Sequence, residues 1–275
     1  MTRVIAEIGI NHNGSVDHAK KLIDIAKEAG CDAVKFQKRT VEVVYTKEEL
    51  DKPRQSPFGE TNGDLKYGLE FSIGEYQDIR SYCYNTNIGF GVSCWDEASV
   101  DDMETVNPDF YKVASACLTD KNLLKKLVRT RKPIHLSTGM STQEQIANAI
   151  DILDENLKVI YHCTSTYPTV IFEMNMRCIN NLRAGFLYGE SIGFSSHSDS
   201  HIPAIIASAI GAEYVEVHIT DNKNQFGSDQ KSSLEPDDLK ELCYYCNNMY
   251  NIKGTGIKKV YDSELPIIDK LRRVK

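Results

Sequence analysis

Nowhere in this 275-residue chain is there an unbroken run of about 18 apolar residues, which excludes a helical membrane span. The start, Met1-Thr2-Arg3, leads straight into a strand-like segment and lacks the apolar core of a signal peptide. Excess positive charge is lacking too: 32 Lys and Arg stand against 39 Asp and Glu, a net charge of −7. Phosphate backbones and anionic bilayers attract basic faces, so neither nucleic acid nor a membrane surface is the expected partner. A small anionic substrate met by a local lysine cluster stays open. The eight cysteines (Cys31, Cys83, Cys94, Cys117, Cys163, Cys178, Cys243, Cys246) are scattered through a chain too large to need covalent staples. They are read as reduced thiols, and the compartment as cytoplasmic. Cys243-Tyr244-Tyr245-Cys246 has C-x-x-C spacing but falls inside the last predicted helix, where a packed face is favoured over a zinc or redox site.

What the chain does have is 41% hydrophobic content and eight short apolar runs, each followed by a helical stretch. The runs are Val4–Ile8, Ala33–Phe36, Phe90–Ser93, Phe110–Val113, Ile134–Ser137, Val159–His162, Ser191–Phe194 and Tyr214–His218. Strand then helix, eight times over, predicts an α/β fold of one domain: a (β/α)8 TIM barrel over residues 1–250. Residues 251–275 are expected as a tail packed on its outside through Leu265-Pro266-Ile267-Ile268.

Local signals support the helices. Ser15–Ala29 repeats apolar residues at Val16, Ala19, Leu22, Ile23 and Ala26 and closes at Gly30. Ser141–Leu153 offers Ser141 or Thr142 as a cap, with Glu144 or Gln145 three residues on. Pro236, Asp237 and Asp238 suit the first turn of the last helix. Two loops on the mouth side stand out: the long, irregular 39–67, expected as a lid or binding loop, and the polar 221–233.

Chemistry in such a barrel sits at the carboxyl ends of the strands. Those ends carry Glu7, Lys35, Gln37, Ser93, Lys112, Ser115, Thr138, Ser195, His197 and His218. His197 and His218 end neighbouring strands and can reach one divalent ion, with Glu7, Asp229 or water completing the shell; a metal-free polar pair is the alternative. Inward lysines are costly unless neutralised. Lys35 and Lys112 therefore predict an anion, a phosphate or carboxylate, with Ser93, Ser115, Thr138 and Gly139 beside it. A Schiff-base lysine and a salt bridge to Glu7 or Glu216 are the competing readings.

The chain resembles the sialic acid synthase (N-acetylneuraminate synthase) family. The resemblance opens with Ala6-Glu7-Ile8-Gly9-Ile10-Asn11-His12-Asn13-Gly14-Ser15 and Val34-Lys35-Phe36-Gln37. It continues through Tyr111-Lys112-Val113-Ala114-Ser115, Ile134-His135-Leu136-Ser137-Thr138-Gly139-Met140 and His162-Cys163-Thr164-Ser165-Thr166-Tyr167-Pro168. It ends with Ser195-Ser196-His197 and Val217-His218-Ile219-Thr220-Asp221. That likeness implies phosphoenolpyruvate-dependent condensation with a sugar aldehyde, such as N-acetylmannosamine, to give a nine-carbon keto-sugar acid and phosphate. It also implies Mn²⁺ or Mg²⁺ on His197 and His218, and enol-ester contacts from Lys35, Ser93, Lys112, Ser115 and Ser195. Gln37 and Tyr167 would face the sugar, Glu7 would lie near the metal or act as acid/base, and Thr138, Ser165 and Asp229 are further substrate-contact candidates.

Three features depart from the family pattern. Cys117 stands where the family has a glutamate. Ser196 replaces the aspartate of Ser-Asp-His, and Cys94-Trp95-Asp96 replaces a proline-containing turn. The sequence as given ends near Arg272-Arg273-Val274-Lys275, about where a linker to a small antifreeze-like (SAF) domain would begin. A homodimer, or a separate chain carrying that domain, is the expected partner. A catalytically incomplete barrel whose sugar site another chain completes is the alternative function.

Overall fold

The computed structural model describes residues 1–186 and 190–274; Lys275 lies outside them. Eight parallel strands close into a barrel: β1 (Arg3–Gly9), β2 (Ala33–Lys38), β3 (Gly89–Cys94), β4 (Phe110–Val113), β5 (Ile134–Ser137), β6 (Leu157–His162), β7 (Ser191–Ser196) and β8 (Tyr214–His218). Each pairs with its neighbours in sequence, and β1 pairs with β8 to shut the ring. Helices α1 (Val16–Ala29), α2 (Ile73–Thr86), α3 (Glu97–Val106), α4 (Lys121–Arg129), α5 (Gln143–Leu153), α6 (Cys178–Phe186), α7 (Ile202–Ala209) and α8 (Pro236–Lys253) follow the strands in turn. The expected (β/α)8 barrel is the architecture found.

Helix ends follow their sequence signals. The Ser15 side chain accepts the His18 amide, and Gly30, at φ 94°, ends α1. At α5 Thr142 is the cap, in a reciprocal pair with Gln145. Pro236 opens α8, with Asp237 and Asp238 in its first turn.

Two apolar zones hold the fold. One lies between strands and helices; the other plugs the barrel interior with Ile5, Ala33, Phe110, Val159 and Tyr161. Gly91 leaves room for the plug, because a Cβ there would run into the Phe110 ring. His135 stacks on Phe110 at 4.4 Å between ring centroids and, by burial, has its pKa pushed down to about 3. Each large side chain so buried contributes about 1.5–3 kcal/mol. Stability thus comes from the plug and the outer zone, which frees the opposite end of the barrel for polar groups.

Two expectations need correction and a third holds. The stretch 39–67 is not irregular: it holds short helices Val41–Val44, Lys47–Leu50 and Asn62–Leu69, and an antiparallel hairpin of Pro53–Ser56 with Gly59–Thr61. The tail does not pack on the barrel: Leu265, Ile267 and Leu271 are more than half exposed, and no described residue beyond Lys253 is buried. Its short helix, Leu265–Leu271, is too small to bring an apolar face to the barrel. Cys243 and Cys246 are buried in α8 as free thiols, the packed face expected of them. Among the described residues, no helix is long and apolar enough to cross a membrane.

Candidate active site

Side chains alternate along a strand, so every second residue points into the barrel. Register does the rest. Glu7 lies opposite both His218 on β8 and Lys35 on β2, Gln37 opposite Ser93, and Glu216 opposite Ser195. These residues ring a cavity of about 180 Å³ above the aromatic plug, joined by Lys112, Ser115, Ser165, Tyr167 and His197. Of the candidate contact residues read from the sequence, Thr138, Gly139 and Asp229 do not line it. Thr138 turns its hydroxyl to the Tyr161 carbonyl (2.8 Å), and Asp229 stands 3.7 Å from His218 Nδ1.

The cavity floor is a buried ion network. Lys35 Nζ sits 2.8 Å from Glu7 Oε2, 3.9 Å from Glu216 Oε1 and 3.0 Å from Ser93 Oγ. Lys112 Nζ lies 2.9 Å from Glu216 Oε2 and 4.1 Å from the Tyr161 ring centroid. Ser195 donates to Glu216 Oε1 (3.1 Å), and Gln37 Nε2 donates to Glu7 Oε1 (2.7 Å). The salt bridges weighed in the sequence therefore form, and they leave the same lysines facing the cavity. Two ammonium groups balance two carboxylates. Burial alone would raise the Glu216 pKa; Lys112 and Lys35 overcome it and hold the carboxyl well below the usual carboxylate range. The two lysines differ. Burial lowers Lys112 more than Glu216 restores it, whereas Glu216 and Glu7 together raise Lys35 despite its burial.

The two histidines face each other with ring centroids 5.7 Å apart. His197 Nδ1–H donates to the Thr164 carbonyl (2.6 Å), which fixes the tautomer and leaves Nε2 as an acceptor for the Tyr167 hydroxyl (3.0 Å). Burial, then His218, pushes its pKa down to about 4, so the ring is neutral at physiological pH. His218 Nδ1 is buried without a hydrogen-bond partner. An oriented neutral imidazole beside one with an orphaned nitrogen is a donor set that suits a divalent cation. Among the described residues it is not extended into a cluster of three protein ligands. Mg²⁺ and Mn²⁺ sites that keep several waters need no such cage.

Two further histidines hold structural contacts. His162 binds the Met174 carbonyl (2.7 Å), and His201 pairs with Asp238 and Glu241 (both 3.3 Å).

Sequence reasoning passed over two side chains. Glu216, the hub of both lysines, was considered only as a salt-bridge partner. Its signal is the carboxylate two residues before His218 on the same strand face. Trp95 lines the cavity just beyond β3, with the Arg39 guanidinium stacked over it at 4.7 Å. The sequence marks it only as part of Cys94-Trp95-Asp96, the departure from the family's proline-containing turn.

Cys117 belongs to the outer core and does not line the cavity; burial, then Asp120, pushes its thiol up to about 11. Cys117→Ala should therefore leave turnover within about twofold while costing about 1 kcal/mol of stability. Steady-state rates and a urea midpoint check this; a large loss of rate with an unchanged midpoint would give the thiol a chemical role.

The sequence matches the NeuB family over residues 22–258. It is 38% identical over 244 residues to N-acetylneuraminate-9-phosphate synthase of Drosophila melanogaster, covering 87% of this chain and 65% of that protein. It is 33% identical over 280 residues to N,N'-diacetyllegionaminic acid synthase of Campylobacter jejuni, covering 99% of this chain and 83% of that one. The chain thus spans from just under two thirds to over four fifths of these relatives' lengths. Among solved structures, the N-acetylneuraminic acid synthetase of Leptospira borgpetersenii superposes with a TM-score of 0.81 at 26% identity, over 99% of this chain and 93% of that one.

Proposed function

Because the chain belongs to the NeuB family, we propose that it condenses phosphoenolpyruvate with a sugar aldehyde to give a sialic-type keto-sugar acid and phosphate. The observation that carries this reading is the pair of lysines, Lys35 and Lys112, meeting at Glu216 in one cavity beside two facing imidazoles. An anionic enol ester needs the first pair, and an aldehyde oxygen needs polarisation from the second.

On this reading the phosphate and carboxylate of the enol ester take the ammonium groups, with Ser93, Ser115 and Ser195 supplying hydroxyl donors. Carbon 3 of the enol ester attacks the aldehyde carbon, and the aldehyde oxygen gains a proton. Water then adds at carbon 2, and phosphate leaves with its bridging oxygen. Lys35 engaged by substrate releases Glu7, whose carboxylate, oriented by Gln37, accepts the proton of the attacking water. His197 and His218 would hold a divalent metal, Mn²⁺ or Mg²⁺, which when bound supplies Lewis-acid polarisation of the aldehyde. The Thr164 carbonyl keeps His197 oriented through Nδ1, and Tyr167, whose hydroxyl would give up His197 Nε2 to the metal, lines the same cavity.

Incubation with phosphoenolpyruvate, Mn²⁺ and a panel of aldoses should release phosphate with the right acceptor. Enol-ester binding with no release from any acceptor would favour an incomplete barrel that needs a partner chain. Lys112→Ala should raise the Michaelis constant for phosphoenolpyruvate about tenfold or more, since a charged hydrogen bond is worth about 1.5–3 kcal/mol, and that for the sugar far less. Equal effects on both would mean the halves of the pocket are misassigned.

The lowered pKa of Lys112 favours one second reading, a Schiff-base aldolase. Borohydride with pyruvate should leave the protein mass unchanged; a stable adduct at Lys112 would move the assignment to that chemistry.

A further inference from the structure

The chain leaves β2 through Gln37, Lys38 and Arg39, and the last of these is a buried guanidinium that does not line the catalytic cavity. One of its terminal nitrogens donates to the Gln37 side-chain oxygen, the other donates to Glu70 Oε1 (3.3 Å), and its plane lies over the Trp95 ring. The backbone is pinned on both sides of the side chain. Glu70 Oε2 accepts the Arg39 amide (3.2 Å), and Asp96 Oδ2 accepts the Thr40 amide (2.7 Å). The Gln37 carbonyl accepts the Tyr76 hydroxyl (2.6 Å), and the Gln37 side chain reaches Glu7 through Nε2.

An amide side chain has nearly the same shape when turned end for end, so shape does not decide which end faces Glu7. Arginine carries donors only. With Arg39 against one end of the amide, that end must be the oxygen, and the NH₂ group is left for the carboxylate. The reverse placement would set donor against donor at Arg39 and oxygen against oxygen at Glu7. Polarity therefore runs one way, from Arg39 through Gln37 to Glu7 Oε1, while Lys35 holds Oε2. Stability alone does not ask for this arginine. Lys38 Nζ already stands 3.5 Å from Glu70 Oε2, and Arg39 Nε is buried without a hydrogen-bond partner, which is unfavourable.

We propose that Arg39 is a positioning residue for the reaction in the cavity: it locks the Gln37 amide, and through that amide it aims the Glu7 carboxylate, without touching either substrate. The consequence for turnover rests on the condensing reading, in which Glu7 takes the proton of the attacking water; the lock on the amide does not. When the enol ester draws Lys35 away, the Gln37 hydrogen bond still orients Glu7, and that bond exists only in the orientation Arg39 imposes.

Two measurements test this. The first needs no turnover: proton–nitrogen correlation NMR of the ligand-free protein, with the Gln37 side-chain NH₂ pair assigned by its loss in Gln37→Leu. Arg39→Met keeps a stem over Trp95 and leaves Glu70 to Lys38, and it should move that pair toward the position of a freely rotating glutamine amide. The second is a double-mutant cycle on steady-state phosphate release with phosphoenolpyruvate, Mn²⁺ and the productive aldose of the panel. Arg39→Met should lower kcat about tenfold or more and leave the Michaelis constant for phosphoenolpyruvate within about twofold, because both lysines stay in place. In a Gln37→Leu background the same change should cost less than about twofold further. Arg39→Lys should fall with Arg39→Met, since a single ammonium does not bridge Glu70 and Gln37 as the planar fork does. A thermal midpoint for each variant checks the fold. Unmoved amide signals in Arg39→Met, independent losses that multiply in the double variant, or full recovery in Arg39→Lys would each overturn the assignment. Amide signals that move as expected while no acceptor releases phosphate would retire the condensing reading and leave the lock standing. Phosphate release at the wild-type rate from Arg39→Met would keep the condensing reading and strike the positioning role.

Discussion

Glu216→Gln should destabilise the ligand-free protein by about 3–5 kcal/mol, and phosphoenolpyruvate should restore much of the loss. The variant keeps the shape of the side chain and removes the one carboxylate shared by Lys35 and Lys112. Two buried ammonium groups are then left with Glu7 alone, and an uncompensated buried charge is the costly outcome. Against a total stability of about 5–15 kcal/mol, that is enough to bring the ligand-free chain near its unfolding threshold. A phosphate and a carboxylate entering the cavity return the missing negative charge, so the rise in thermal midpoint on adding phosphoenolpyruvate should be larger for the variant than for the wild type. Equal shifts would mean that the enol ester does not dock on these lysines. The pH dependence has a definite sign. Because the Glu216 carboxyl is held below its unfolded value, its contribution is fully present above the usual carboxylate range and fades as pH falls below it. Scanning calorimetry from neutral pH downward should show the wild type and Glu216→Gln converging at the acid end.

The second large effect concerns the imidazoles. His218→Ala should lower turnover by about 100- to 1,000-fold, the equivalent of several kcal/mol of lost polarisation at the aldehyde. Calorimetric Mn²⁺ binding should weaken in parallel. The thermal midpoint without metal should hold or rise slightly, because His218 Nδ1 is buried without a partner and its removal relieves an unpaid desolvation. Full activity in this variant would take the metal away from the pair. A collapse of the midpoint would make His218 a structural residue instead.

Much of this molecule could be foreseen from residue order. Buried parallel strands read as short apolar runs, and all eight coincide with barrel strands, shifted by a residue or two where the pairing outlasts the hydrophobic segment, as at Lys38 and Ser196. Helix caps such as Ser15 and Thr142 were visible because capping is local chemistry. The hairpin of Pro53–Ser56 with Gly59–Thr61 was hidden because its polar, proline-led strands carry no alternating pattern. The tail misled because Leu265-Pro266-Ile267-Ile268 is apolar enough to predict packing, whereas a seven-residue helix brings no continuous face. The site was half legible. Strand ends name Glu7, Lys35, Lys112, His197 and His218, but their pairing depends on register around a closed sheet, which no local pattern encodes. That is why Glu216 surfaced as a counter-ion and not as the centre of the network.

The seam between β1 and β8 has a consequence for biosynthesis. Glu7 comes from the first strand, and Glu216 and His218 from the last, so the cavity floor joins parts of the chain some two hundred residues apart. A ribosome that has not yet delivered Tyr214–His218 holds a sheet with two open edges and an unfinished cavity. Shortened products ending before that strand are expected to be inert and adhesive, and competence arrives in one step when the two extremities of the ring meet.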